Sequence, residues 1–139
     1  MFCLLMSGCN SSNRHSWLLP NHERIEYHEG TNDVGFTANI PQYVSWISEK
    51  KGTNSLLVGI GGSYRALTFH LNQSQTLGWI TGQYAGSERE FYVAIIDLKN
   101  FQIADGDCMS GYNLDSVEIK HKSEVEQSLS NAIVIPEHK

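Results

Sequence analysis

The stretch richest in side chains that can do chemistry is Asp105-Gly106-Asp107-Cys108-Met109-Ser110-Gly111-Tyr112-Asn113-Leu114-Asp115. Alternating acids with a glycine can cradle a hard cation, which takes several carboxylate and carbonyl oxygens. The spacing departs from a calcium loop. The glycine needed sixth stands seventh, at Gly111, and Ser116 occupies the twelfth position, where a bidentate Glu belongs. The same residues suit contact with another protein. Tyr112 and Met109 are types enriched at interface cores, and Asp105, Asp107 and Asp115 favour a basic partner. These five residues are the candidate partner-binding set. The plainer reading of the stretch is a solvated connection between strands.

Other chemistry-bearing clusters fall short of a site. His15, His22 and His28 lie near Glu23, Glu26 and Glu29. A zinc-binding H-E-x-x-H would need a second histidine where Glu26 stands, so a polar loop is the simpler expectation. Ser63, in Gly61-Gly62-Ser63-Tyr64-Arg65, begins like a nucleophile elbow, but Arg65 takes the place of the second glycine and the following residues read as strand. Gly59-Ile60-Gly61-Gly62 lacks the third glycine of a dinucleotide loop, and no P-loop lysine follows. Glu88 and Glu90 share a face by alternation, as a solvated rim does. His70 is read as a strand residue with no role. No catalytic set, metal site or cofactor is expected.

The N-terminus carries an address. Phe2-Cys3-Leu4-Leu5-Met6-Ser7-Gly8-Cys9 is an apolar run ending in two small residues and a cysteine. It resembles the lipobox of bacterial lipoproteins. The resemblance implies a diacylglycerol on Cys9, which then becomes the first residue of the mature chain. The small residues fit a signal peptidase, which needs slim side chains before the cut. Asn10-Ser11-Ser12-Asn13 follows as a polar tether. The run departs from the pattern in being shorter than a usual signal-peptide core and in having no Lys or Arg ahead of it. The alternative reading makes the same residues the first buried strand of a cytosolic protein.

Composition bounds the rest. A chain of 139 residues, 40% apolar, is long enough for one domain with a real core. It has no apolar run near the eighteen or so residues of a membrane-spanning helix, so membrane attachment would fall to the lipid. A formal charge of −5 and scattered basic residues argue against nucleic acid. If Cys3 is cleaved away and Cys9 acylated, Cys108 is left as a single thiol that cannot form an intrachain disulfide.

Periodicity then lays out the elements that would position these residues. Residues 10–33 read as polar tether and loop, with Ile25-Glu26-Tyr27 as a short edge strand. A helix is expected from Pro41, with Tyr43, Val44, Trp46 and Ile47 on one face and Lys50-Lys51-Gly52 as its ending. Alternation predicts strands over 55–60, packed on both faces, and over 64–71, 76–83 and 91–98, the last mid-sheet. Lys99-Asn100 reads as a two-residue turn into a strand over 101–104. Val117 and Ile119 mark a strand, Ser123-Glu124-Val125-Glu126 a capping box that starts a helix, and 132–135 a last strand. Short gaps favour antiparallel pairing. The expected fold is α+β, a predominantly antiparallel meander with one or two short helices. Residues 1–9 form the signal-like segment, 10–33 the tether, and 34–139 one globular domain.

Small acidic lipoproteins of this plan include inhibitors and immunity proteins, so by analogy of class the expected function is binding of a protein partner, with no enzymatic activity. The other readings are a small hydrolytic, metal- or ligand-binding domain, and a structural envelope component. Expressed from its own start, the chain should incorporate labelled palmitate, and Cys9→Ala should abolish the label. An unlabelled, freely soluble wild type would contradict the lipobox reading.

Overall fold

Two antiparallel meanders, laid face to face, build the fold. The computed structural model describes residues 14–30, 40–61, 64–84, 88, 90–105 and 119–138. The first sheet runs in order through β1 (Arg14–Leu18), β2 (Arg24–Glu29), β3 (Ile40–Ser48) and β4 (Gly52–Gly61). The second contains β5 (Tyr64–Leu71), β6 (Leu77–Tyr84), β7 (Glu90–Asp97), β8 (Gln102–Asp105) and β9 (Ile133–Ile135), ordered β8-β7-β6-β5-β9. All described pairings are antiparallel. Among the described residues, a helix, α1 (Ile119–Ser128), and a 3-10 turn, Leu129–Asn131, precede β9. The fold is mostly antiparallel β with a short helix, as expected in outline.

Alternation decides what fills the space between the sheets. Trp17, Ile25, Tyr27, Val44, Trp46 and Val58 of the first sheet meet Tyr64, Leu67, Phe69, Ile80, Phe91 and Ile96 of the second in one buried cluster. Trp17 packs on Phe69 with ring centroids 5.8 Å apart, and Tyr27 meets Tyr64 edge-on at 6.3 Å. Such aromatic contacts add to the gain from burying large apolar side chains. Leu77, Trp79 and Ile95 point to the other side of the second sheet, where Val125 of α1 covers them.

The C-terminus closes one seam. After pairing with β5, the chain crosses to the first sheet: Glu137 bridges to Trp17, and the His138 amide donates to the Ser16 carbonyl at 2.7 Å. These contacts cover part of the β5 edge and part of the β1 edge, which leaves less unpaired backbone to invite another strand.

Several sequence expectations are corrected. Residues 41–47 are strand, not helix. Val44 and Trp46 face the core while Tyr43 and Ile47 face outward, because apolar residues at positions one, two, four and five satisfy either period and the neighbouring strands select two. The Lys50-Lys51-Gly52 ending belongs to a hairpin, with Gly52 at φ +92° and the Lys51 amide donating to Ser48 Oγ at 3.1 Å. Within the stretch read as tether, β1 and β2 form, and β2 lies inside the sheet between β1 and β3. β4 is apolar on its inner face only, since Leu57 is 43% exposed.

β7 is mid-sheet as expected, but its faces differ from simple alternation. Pairing with β6 shifts between Ile80 and Thr81, so Val93 has no direct partner and Phe91, Val93, Ala94 and Ile96 all reach the inner core, while Tyr92 and Ile95 face the helix. The turn after β7 spans four residues, held by the Asp97 carboxylate accepting from the amides of Lys99 and Asn100 at 3.1 Å each. β8 starts at Gln102, one residue later than the expected strand. α1 begins at Ile119, ahead of the capping box, so Ile119 is helical; Val117 lies outside the described residues.

Ile95 is fully buried beneath α1. Ile95→Ala should cost about 2–5 kcal/mol in a denaturant melt, because the lost contacts leave a cavity that the sheet cannot close. A loss below about half a kcal/mol would contradict this packing.

Candidate docking surface

The outward face of the first sheet is a grid of three rows, each four residues wide, fixed by strand register. One outer row runs Arg14, His28, Tyr43, Leu57. The other runs Leu18, Arg24, Ile47, Thr53. The middle row is Ser16, Glu26, Ser45, Ser55. Three serines make that row low, so larger side chains rise on both sides of a trough that crosses the strands. Rows lie about 7 Å apart along a strand and strands about 4.8 Å apart, so from backbone to backbone the floor row spans roughly 14 Å and the two outer rows stand roughly 13 Å apart.

The side chains of this face are fixed by one another. Glu26 lies at the floor, its side chain 12% exposed, with Oε1 accepting from Arg14 Nη1 at 3.2 Å and Oε2 from Arg24 Nη1 at 3.3 Å. The arginine side chains remain 60% and 45% exposed. Ser45 and Ser55 share a hydroxyl hydrogen bond at 2.8 Å. His28 stacks on Tyr43 at 5.3 Å. Burial first, and the Arg14 charge second, push the His28 pKa down against the opposing pull of Glu26, so the ring is held neutral. Leu18 and Leu57, 36% and 43% exposed, stand at opposite corners.

Two other hollows are smaller or already satisfied. A cavity of about 120 Å³ at one end of the sandwich is lined by Leu19, Trp46, Lys51, Leu71 and Leu98 around Glu23. Pockets for small-molecule ligands usually hold about 300–1,000 Å³, so this one suits a few waters or a single side chain. Burial works to raise the Glu23 pKa, but hydrogen bonds from Ser48, Trp46 and Asn21 and the Lys51 charge outweigh it and lower the pKa. The Trp46 indole donates to Glu23 at 2.9 Å. A polar groove of about 350 Å³ lies between the β5–β6 turn and α1. Its hydrogen bonds stay internal: Asn72 Oδ1 accepts from the Thr76 and Leu77 amides, and Gln73 Nε2 donates to the Asn131 carbonyl.

The structure separates the histidines and glutamates that crowd one another in sequence. His15 faces inward beside Trp17 and pairs with Glu137 at 3.0 Å, His22 sits in the β1–β2 turn at φ +72°, and His28 lies on the outer face. Glu29 is buried and accepts from the Tyr27 hydroxyl at 2.8 Å, which together with burial raises the Tyr27 pKa far above the usual phenol value. His70 has partners after all: it stacks on Trp79 at 5.4 Å and bonds Thr81 Oγ1 at 3.1 Å, and burial lowers its pKa. Glu90 opens β7, and Glu88 is exposed and offers its carbonyl to Gln83.

Asp105 ends β8, opposite Ala94. Asp107, Met109, Tyr112 and Asp115 lie outside the described residues, as do Ser63 and Cys9. The trough itself went unread in the sequence, although Arg14-Ser16-Leu18 and Arg24-Glu26-His28 carry its period of two.

Two histidines held neutral by burial set a pH dependence. Their pKa values fall below 6.5 on folding, so the unfolded chain binds more protons as pH drops. Their stabilising contribution is complete above the unfolded value and is lost as pH falls through it; the share from Glu23 is lost only below 4.5. The denaturant midpoint should therefore fall from about pH 7.5 to about pH 5.5, and His28→Gln/His70→Gln should flatten that decline. A double variant with the wild-type slope would contradict the assignment.

No family model matches the chain, and neither the curated proteins nor the solved structures supply a match.

Proposed function

We propose that this chain is a lipid-anchored protein of the bacterial cell envelope, facing the periplasm, that binds and neutralises a protein partner. The fitting class is an immunity or inhibitor protein acting against a secreted toxin such as a phospholipase or cell-wall hydrolase. The observation that carries the reading is the outward face of the first sheet. The second sheet has α1 over its outer side, whereas the first presents two arginines, a stacked His28–Tyr43 pair and two exposed leucines on a hydrogen-bonded scaffold. Arginine and tyrosine are the types that most often anchor interfaces, and a scaffold already ordered loses little entropy on binding.

The remaining parts fit the same role. Lipid on Cys9, followed by a short polar tether, would hold the domain at the membrane, where an incoming toxin passes. The acidic loop with Met109 and Tyr112 follows β8 directly in the chain, and β8 packs beside β4, the strand that bears Ser55 and Leu57. Its acids Asp105, Asp107 and Asp115 form a second contact, drawing a basic patch of the partner. Neutralisation then works by covering the partner's active surface.

Growth competition tests the reading. Cells lacking this gene should lose to a toxin-secreting donor strain, re-expression should restore survival, and Leu18→Lys/Leu57→Lys, both at exposed positions, should fail to restore it while expressing at wild-type level. Equal survival of all strains, or full rescue by the double variant, would count against it.

A further inference from the structure

We infer that the trough across the first sheet receives an acidic ridge of the partner protein, and that Arg14 and Arg24, held by Glu26, bond the partner's carboxylate through their remaining donors. The inference rests on the docking reading above and names what the partner must present. Charge is the first argument. The whole chain carries −5, yet among the described residues this face sets two arginines, Arg14 and Arg24, against one acid, Glu26. A surface locally opposite in sign to the rest of its molecule selects a locally acidic partner and repels a basic one.

Geometry is the second argument. Both guanidiniums converge on one carboxylate at the trough floor, each through a single nitrogen, and their side chains stay about half in solvent. A guanidinium has five N–H donors in a planar fork suited to a carboxylate. Glu26 therefore orders both forks in advance without saturating them. An Asp or Glu entering from above can bond the outer donors, while Leu18 and Leu57 receive apolar neighbours at the corners. Because both guanidiniums lean onto the floor, what approaches them is a carboxylate carried on a narrow ridge of the partner. A surface of roughly 13 by 14 Å is a fraction of the about 800 Å² each partner gives to a stable interface, so the trough does not make the whole contact by itself. The trough is instead the anchoring centre of a larger contact.

An unbiased probe lets the chemistry decide. A phage library of random dodecapeptides is panned on the full chain, and the enriched peptides are mapped by amide shifts in ¹⁵N spectra. The expected result is enrichment of Asp and Glu beside apolar residues, with shifts centred on Glu26, Tyr43 and Ser45. Arg14→Gln/Arg24→Gln should weaken those peptides at least about tenfold. Glu26→Gln, which removes the internal competitor and keeps a side chain of the same shape, should tighten them at least about threefold. Dispersed spectra of each variant establish that it folds. Peptides that map to the trough without carboxylates, or that weaken with Glu26→Gln, overturn this inference and leave the docking reading standing. Peptides that map elsewhere, or no enrichment at all, overturn both.

Discussion

Antiparallel pairing of β2 with β1 and β3 commits every side chain of the first sheet to one of two faces, and the rest of the molecule depends on that commitment. With Ile25 opposite Trp17 and Trp46, the inner face carries large apolar groups; with Glu26 opposite Ser16 and Ser45, the outer face carries a low polar row. A slip of one residue would move Ile25 and Tyr27 into water and Arg24 and Glu26 into the core. Burying those charges would cost far more than the lost apolar contacts, so register is strongly specified. The core and the trough are two consequences of the same register.

Bulges adjust that rule where strict alternation would fail. Pairing of β3 with β4 shifts between Gln42 and Tyr43, so Val58 has no direct partner on β3, yet it stays inside with Leu56 while Leu57 points outward to end a wall of the trough. The comparable shift in β6–β7 turns Phe91 through Ile96 so that the inner core gains Ala94 and Ile96 and the helix side keeps Tyr92 and Ile95. On β5 the shift between Arg65 and Thr68 coincides with Ala66 at φ +54°. That conformation costs a non-glycine residue about 1 kcal/mol or more, which packing around Leu67 and Phe69 offsets.

Apolar runs bounded by strong turn punctuation are legible from residue order: β5, β6, β7 and β9 fall within a residue or two of their expected bounds, although the shifts within β5 and between β6 and β7 are not visible there. Pro41-Gln42-Tyr43-Val44-Ser45-Trp46-Ile47 was misread because its apolar spacing fits a helix as well as a strand, and only the flanking strands decide. β1 is hidden, and β2 shows only as the short edge strand Ile25-Glu26-Tyr27, because polar residues on their outer face dilute the signal of Trp17, Ile25 and Tyr27. The grid of the trough cannot be seen by composition alone, since it brings together residues 43 positions apart, Arg14 and Leu57, through three registers. Local motifs carry chemistry that lies along the chain; this surface lies across it.

The central claim, that the outward face of the first sheet is where a protein partner sits, is tested most directly by photo-crosslinking in living cells. A benzophenone side chain placed at position 57 in the trough wall is compared with one at position 129, beside α1, and one at position 134 on β9; all three positions hold exposed apolar residues. The account predicts a discrete protein adduct from position 57 that is absent from 129 and 134. An adduct from 129 or 134 with none from 57 would place the partner on another face and contradict the account.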